Sequence, residues 1–242
     1  MKIFVINLER STARRERMTQ ALTEAELDFE IFPAVDGSKD FEELSHYNDR
    51  KRRFLRIRPL TKGEIAAFAS HYRLWQKCVN MGEPIIIFED DAVLTPNFHE
   101  AIQTAKNNIA QYGCLRFYGH RGGKHRTVST LDNNFRIDFS RKGVLGSVAY
   151  MLSPSAASKL LAHSDEWIFG QDVYMNLSYL HKVGCFVLKP YSIDHSWEDT
   201  TIHGRSGYKK SIFSKLVKEL HVASIRIRSR LFEYSIQKKL HF

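Results

Sequence analysis

The chain alternates between two patterns of apolar and polar positions. Short, mostly apolar runs, which are typical of buried strands, lie at residues 2–6, 29–32, 84–88, 114–118, 147–152 and 185–188, and the run at 84–88 is apolar throughout. Between these runs apolar residues recur at helical spacing, as in Met18, Ala21, Leu22 and Ala25. Strands and helices that take turns in this way predict an α/β fold with a mostly parallel central sheet. Ligands of such sheets bind beyond the carboxyl ends of the strands.

Helix starts are predicted from capping residues. Thr61 and Glu64 have the spacing of a capping box, in which a hydroxyl and a carboxylate satisfy free backbone N–H groups. Ser11 is predicted to cap the first helix. Thr95 and Ser153 are each followed by proline, which favours the first helical position, and are predicted to open two more helices.

Positive charge is concentrated towards the C-terminal end. The net charge is +9, and residues 205–242 carry most of it, with ten Lys and Arg against two Glu. Residues 1–204 are close to neutral. A near-neutral body argues against a nucleic-acid-binding protein, the main alternative of another class, whereas a basic appendage predicts docking on an anionic surface.

The 242 residues fit one domain with an appendage. We expect a catalytic domain over residues 1–207 and a basic, amphipathic helical segment over residues 208–242. No stretch approaches the roughly 20 apolar residues of a spanning helix, so the chain is predicted to be cytoplasmic and not integral to a membrane. The polar, basic stretch 38–58 predicts a long, mobile loop.

Glu89, Asp90 and Asp91 directly follow the apolar run 84–88. Negative charge at a buried strand end is costly unless a cation or hydrogen-bond donors offset it. Mg²⁺ or Mn²⁺ takes oxygen ligands, usually one or two carboxylates with substrate phosphates and water. The triplet therefore indicates either a divalent-metal site that holds a diphosphate or an acidic turn that caps the next element.

A second polar group lies where the first strand ends and the first helix begins. Asn7, Arg10 and Arg14 are placed there, where backbone N–H groups and guanidinium groups suit phosphate recognition. A solvated helix face would have the same composition, so the residues alone leave both interpretations open.

Three later residues are further candidates. Asp172 stands at a predicted helix start, where the alternative role is that of a helix cap. His195 and His203 lie in a polar region rich in possible ligands, although a single histidine is more often structural than a metal ligand.

Several segments together resemble glycosyltransferase family 25, the bacterial lipopolysaccharide and lipooligosaccharide galactosyltransferase family. The resemblance covers roughly residues 2–204, and each segment alone would be weak. The matching segments are residues 4–10 with 14–18, Ala34 to Gly37, Thr61 to His71, Ile87 to Ala92 and Gly146 to Ser153.

This resemblance implies a GT-A-like fold, a nucleotide-sugar donor, usually UDP-galactose, and an inverting transfer that makes a β-linkage. Glu89-Asp90-Asp91 would be the counterpart of the metal-binding Asp-x-Asp motif, with Glu in the first position, so the metal contact is assigned to Asp91. A late histidine ligand is expected from either His195 or His203, and the metal is Mn²⁺ or Mg²⁺. Asp172 is the candidate catalytic base. The implied donor-binding residues are Asn7, Arg10, Arg14, Asp36, Gly37, Glu64, His71, Glu89 and Asp90.

The C-terminal segment bears on the acceptor. Apolar residues at helical spacing, among them Phe213, Leu216 and Leu220, are mixed with cations such as Arg226 and Arg230. A basic amphipathic helix lies naturally at an anionic membrane surface, where each cation contributes about 1 kcal/mol. We therefore expect a peripheral enzyme on the inner face of the plasma membrane, acting on a lipid-linked oligosaccharide. A helix that packs on the body with solvated cations, or a non-catalytic relative that only binds a nucleotide sugar, remains an alternative.

Overall fold

The computed structural model describes residues 1–55, 57–120, 125–131, 134–196 and 212–240, without the side chains of residues 212–218 and of His221. The strands are β1 Lys2–Asn7, β2 Phe29–Pro33, β3 Ile85–Glu89, β4 Ala92–Leu94, β5 Cys114–Arg116, β6 His125–Thr130, β7 Arg136–Ser140, β8 Ala149–Leu152, β9 Phe186–Lys189 and β10 Ile193–His195. The α-helices are α1 Thr12–Glu24, α2 Asp49–Phe54, α3 Lys62–Met81, α4 Phe98–Tyr112, α5 Pro154–Leu161, α6 Gln171–Met175, α7 Ser178–His181 and α8 Ile212–Leu240. A 3₁₀ helix spans Glu42–His46.

Eight strands form one sheet in the order β2-β1-β3-β8-β5-β9-β7-β6, and β4 and β10 form a separate antiparallel pair. All strands of the large sheet except β7 and β8 run in one direction. The predicted α/β fold with a mostly parallel sheet is therefore confirmed. The helical C-terminal segment is also present, as α8.

The direction of β8 brings several chain segments to one edge of the sheet. β1 and β3 are parallel neighbours and end together, with Ile6 opposite Glu89. β8 runs antiparallel to β3, with Ala149 opposite Phe88, so β8 begins where β3 ends. Residues that follow β1 and β3 and residues that precede β8 therefore meet at this edge.

The sheet separates two apolar layers, because successive strand residues point to opposite faces. In β1, Ile3 and Val5 pack with α1 and α4, while Phe4 and Ile6 pack with α3 and α5. Both layers are closely packed, and the core side chains of β3 are fully buried. This packing fixes the strand ends that carry the polar residues.

The predicted loop at 38–58 is wrong, since the 3₁₀ helix and α2 lie within it. Some of its charged and polar residues bind specific partners that a mobile loop would not hold. Arg52 is buried and donates to the carbonyls of Arg58 and Ile168. Asn48 caps α2 by accepting from the Lys51 N–H at 2.8 Å. Hydrogen bonds of this kind allow a polar segment to fold without an apolar core of its own.

The predicted cap at Thr95 is also wrong, because α4 begins at Phe98 and its N-cap residue is Asn97. The Thr95 N–H donates to the Ser192 carbonyl at 3.1 Å, which extends the pairing of β4 with β10 and delays the helix. The caps at Thr61 and Ser153 are confirmed, including the full capping box of Thr61 and Glu64.

α8 lies against the body through one of its sides. Phe232 is buried, and Ile236 and Leu240 pack against the same apolar layer as α1 and α4. Phe213 and Leu216 are two of the apolar positions predicted for this segment, and their side chains lie outside the described part of the chain. Among the helices the structure describes, none has both the length and the apolar character to cross a bilayer.

Candidate active site

Asp90 is the anchor of the acidic triplet. Asn7 Nδ2 donates to its Oδ2 at 2.7 Å and Arg14 Nη1 to its Oδ1 at 2.9 Å. Burial raises the pKa of Asp90 above its usual range, and the Arg14 cation and the Asn7 hydrogen bond oppose that rise. Both carboxylate oxygens are thus engaged, and they tie the end of β1 and the first turn of α1 to the end of β3.

Glu89 is held by a chain of buried polar groups. Trp75 Nε1 donates to the Tyr150 hydroxyl at 2.9 Å, and that hydroxyl lies 2.8 Å from His71 Nδ1. Because an indole N–H only donates, the Tyr150 oxygen accepts that hydrogen bond. The Tyr150 O–H then donates a hydrogen bond to His71 Nδ1. His71 then carries its proton on Nε2, which lies 3.3 Å from Glu89 Oε1. His71 therefore orients the Glu89 carboxylate.

Ser147 and Gln171 complete the surroundings of Glu89. The Ser147 Oγ lies 2.6 Å from Glu89 Oε1 and 2.5 Å from Gln171 Oε1. Ser147 and Gln171 are both buried. Through these two residues, the start of α6 is joined to the end of β3.

Asp91 and His195 meet through the small β-pair. β10 pairs with β4 so that His195 stands opposite Ala92, the residue after Asp91. His195 Nε2 lies 3.1 Å from Asp91 Oδ2, and this hydrogen bond raises the pKa of His195. The ring of Tyr118 stacks on the imidazole at 6.0 Å between centroids. His195 is thus beside the triplet, whereas His203 lies outside the described residues.

Two buried oxygens at this edge stand out. Asp91 Oδ1 and Asn7 Oδ1 are buried and have no hydrogen-bond partner among the described residues. Buried acceptors of this kind are costly unless a donor or a cation serves them. An Asp carboxylate beside an imidazole fits a divalent cation that takes its remaining ligands from phosphates and water. Within the described ranges, no three His, Cys, Asp or Glu residues converge into a complete metal cage.

Asp36 and Gly37 lie beyond the end of β2 and pack against α3. Asp36 pairs with Arg10, and the pKa of Asp36 is lowered to about 2, mainly because its carboxylate accepts from the N–H and hydroxyl of Ser38. A Cβ at Gly37 would stand 2.7 Å from the Lys62 carbonyl. Glycine is therefore required for this close approach to the first turn of α3.

Glu64 is occupied by the start of α3. Its Oε2 accepts from the Thr61 N–H at 2.9 Å and from Arg58 Nη1 at 2.8 Å, and its Oε1 accepts from Arg58 Nη2. The carboxylate therefore caps the helix. A role of Glu64 in donor binding stays a prediction.

Asp172 lies next to Gln171 in the first turn of α6. Its Oδ1 accepts from the Val173 N–H at 2.7 Å. Its Oδ2 makes no hydrogen bond within the part of the chain that the structure describes. Because Gln171 contacts Ser147 and Ser147 contacts Glu89, the backbone of the adjacent Asp172 lies close to the same edge.

Ser147, Gln171 and Tyr118 are site residues that sequence analysis missed. Ser147 is the first residue of the run at 147–152 that predicts a strand, and the observed strand β8 begins two residues later, at Ala149. Its place beside Glu89 depends on β8 running antiparallel to β3, and the apolar run gives no direction.

Comparisons with known proteins identify a family. A protein-family model described as "Glycosyltransferase family 25 (LPS biosynthesis protein)" matches residues 1–175. Procollagen galactosyltransferase 2 of Homo sapiens is 35% identical over 177 residues, covering 66% of this chain and 27% of that protein. The probable inactive glycosyltransferase 25 family member 3 of Bos taurus is 36% identical over 177 residues, covering 66% of this chain and 28% of its own length.

The chain spans about a quarter of the length of these curated relatives. Among solved structures, A197 from STIV is similar with a TM-score of 0.46 and 11% identity, covering 81% of this chain and 86% of that one. The mixed sheet is consistent with the GT-A-like fold that the sequence resemblance implies. Since the family match covers most of the chain, including β1, α3 and the acidic triplet, the chain belongs to glycosyltransferase family 25.

Proposed function

We propose that the chain is an inverting glycosyltransferase that moves galactose from UDP-galactose, in a β-linkage, to a lipid-linked oligosaccharide of the lipopolysaccharide or lipooligosaccharide type. Family membership supports glycosyl transfer in general. The donor is supported by the galactosyltransferase names of relatives in Homo sapiens and Danio rerio, and the acceptor by the lipopolysaccharide description of the family.

The observation that carries the proposal is the Oδ1 of Asp91, which lies beside His195 and is buried without a hydrogen-bond partner among the described residues. Asp91 and His195 would hold a divalent cation, Mn²⁺ or Mg²⁺, with His203 as a further candidate ligand. When bound, such a cation would supply electrostatic stabilisation of the UDP leaving group. Asn7 Oδ1, which also lacks a donor among the described residues, could accept a hydrogen bond from a hydroxyl or N–H group of the nucleotide sugar.

The start of α1 suits the diphosphate. α1 begins directly beyond the end of β1, and the Ser11 side chain makes no capping hydrogen bond to it. The positive N-terminal end of this helix favours an anion, as at phosphate-binding helix starts. Arg14, which binds Asp90, lies in the first turn of α1, and Arg10, which binds Asp36, precedes that helix in the chain.

Asp172 would act as the general base. Its carboxylate would accept the proton of the acceptor hydroxyl as that oxygen forms a bond to the anomeric carbon. The bond from the anomeric carbon to the UDP oxygen breaks on the opposite face, so the configuration inverts. Positioned bases of this type contribute roughly 10²–10⁴-fold to rate.

A second candidate function is binding of a nucleotide sugar without turnover. It is favoured by the relative in Bos taurus, whose name describes it as probably inactive and which is as similar as the named galactosyltransferases. The two functions share the donor site and differ only in chemistry.

The test is UDP release from a panel of UDP-sugars, with and without Mn²⁺, by the wild type, Asp91→Ala and the control Asp28→Ala, which changes an exposed carboxylate. We expect metal-dependent turnover with UDP-galactose in the wild type and the control, and its loss in Asp91→Ala. Thermal stabilisation by UDP-galactose without turnover would favour the binding function. Neither turnover nor stabilisation with any UDP-sugar would refute both.

A further inference from the structure

α8 has two different faces. Phe232, Ile236 and Leu240 pack against the body, and Arg141 binds Glu233 at 3.1 Å. The opposite face carries large apolar side chains that remain in solvent. They are Leu220, Ile227, Leu231 and Tyr234, which are 63%, 60%, 66% and 70% exposed.

These exposed residues form one stripe. They are separated by seven, four and three positions, which the helical period places on one side of the helix. Phe232 and Ile236 fall on the other side by the same geometry. The stripe is therefore a continuous apolar surface that the body leaves uncovered, and surfaces of this kind mark sites of interaction.

Exposed cations border the stripe. Arg226 and Arg230 lie along one flank, and Lys238 lies in line with the stripe near the C-terminal end. The described acidic side chains of α8 are Glu219 and Glu233, and Glu233 is already paired with Arg141. The face as a whole is thus apolar along its centre and positive at its margins.

A groove between α7 and α8 joins this face. It has a volume of about 460 Å³ and is lined by Tyr179, Lys182, Arg228 and Phe232, with Leu231 from the stripe at its margin. Lys182 Nζ lies 5.7 Å from the centre of the Phe232 ring, and the Arg228 guanidinium lies 5.9 Å from that of Tyr179. Two cations over an aromatic floor suit a phosphate group joined to an apolar chain.

We propose that the outer face of α8 and the α7–α8 groove form one docking surface for a membrane rich in anionic phospholipids. Leu220, Ile227, Leu231 and Tyr234 enter the interface, while the flanking cations bind lipid phosphates. A second copy of the chain fits less well, because a two-fold contact through this face would bring like charges together. The inference extends the proposed function, and binding to vesicles does not depend on sugar transfer.

The test is co-sedimentation of the full chain with vesicles of phosphatidylglycerol and phosphatidylethanolamine, and with vesicles of phosphatidylcholine alone. Ile227→Ser with Leu231→Ser removes the centre of the stripe, and Phe54→Ser is its control, since Phe54 is 71% exposed on α2. Arg226→Gln with Arg230→Gln removes two cations, and Lys106→Gln with Lys159→Gln removes two exposed cations elsewhere.

We expect binding to the anionic vesicles only, weakened about tenfold or more by either α8 double variant and unchanged by either control. Circular dichroism of each variant establishes that the fold is kept. Equal binding to both kinds of vesicle, or equal binding by all variants, would overturn the proposal. So would a wild-type dimer that the Ile227→Ser, Leu231→Ser variant dissociates, since the stripe would then serve a second copy.

Discussion

Two clusters of Arg and carboxylate groups show how similar contacts can have different consequences. At the sheet edge, Arg14 binds Asp90 beside Glu89 and Asp91. At the start of α3, Arg58 binds Glu64. Asp90 and Glu64 are alike in side-chain exposure, at 12% each, and both were expected to bind the donor.

The clusters differ in whether they leave buried oxygens without a hydrogen-bond partner. Both oxygens of Glu64 accept hydrogen bonds from the helix start and from Arg58. The sheet edge leaves Asp91 Oδ1 and Asn7 Oδ1 buried without a partner among the described residues. A buried ion pair is therefore weak evidence for a binding site. Buried acceptors that lack a hydrogen-bond donor at the end of a strand instead indicate a ligand.

The largest expected effect tests the catalytic side of the sheet edge. Asp172→Asn should lower transfer by roughly 10²–10⁴-fold, because the amide cannot accept the proton of the acceptor. Binding of UDP should stay intact, since asparagine keeps the size and polarity of the side chain. Measured turnover and calorimetric UDP binding check this, with Asp165→Asn as a control on a neighbouring acid. Near-normal turnover would remove Asp172 from the mechanism.

The next test compares the two arginines directly. Arg14→Gln leaves Asp90 with only the Asn7 amide, so we expect a loss of about 3–5 kcal/mol in the free energy of unfolding. Arg58→Gln should cost about 1 kcal/mol, because Arg58 is 29% exposed and Glu64 keeps the Thr61 N–H. Urea unfolding of both variants measures the difference. Equal losses would mean that the two pairs are equivalent and that the comparison fails.

His181 extends the comparison, because it is a buried group whose two ring nitrogens both have hydrogen-bond partners. His181 lies in the core, where the Val183 N–H donates to Nδ1 and Nε2 lies 3.1 Å from the Tyr174 carbonyl. Burial lowers the pKa of His181 to about 4. Between that value and about 6.5, the unfolded chain binds a proton that the folded chain does not. Stability should therefore fall by up to about 3 kcal/mol as the pH drops through this window.

His181→Gln should remove that part of the pH dependence, although it costs stability near neutral pH. Urea unfolding at about pH 7 and about pH 5 measures the slope. His163→Gln, which changes an exposed histidine, is the control and should keep the wild-type slope. If both variants keep that slope, His181 is not the group that titrates.

The fold was predictable where local sequence decides it. The apolar runs at β1 and β3 and the capping box of α3 need no distant partner to be recognised. The antiparallel pair of β6 and β7 was missed because neither strand is a continuous apolar run: β6 is mostly polar, and β7 buries the polar residues Asp138 and Ser140. β4 and β10 have three residues each and form only through pairing with one another.

The site divides in the same way. The acidic triplet is visible in the sequence because it directly follows an apolar run. The pairing of His195 with Asp91 depends on the β4–β10 register, and the contact of Ser147 with Glu89 depends on the direction of β8. Local periodicity predicts neither register nor strand direction, because it indicates the length of a strand but not its neighbours in the sheet.

The smallest expected effect tests the α3 cluster itself. Glu64→Gln keeps a side chain that can complete the capping box, but it loses the charge that binds Arg58. We expect a loss of about 1 kcal/mol in stability and an unchanged KM for the UDP-sugar, because every acceptor of Glu64 is used within the fold. Glu24→Gln, on the exposed side of α1, is the control. A raised KM with unchanged stability would instead assign Glu64 to donor binding. An ion pair whose oxygens all accept hydrogen bonds within the fold could then no longer be taken as purely structural.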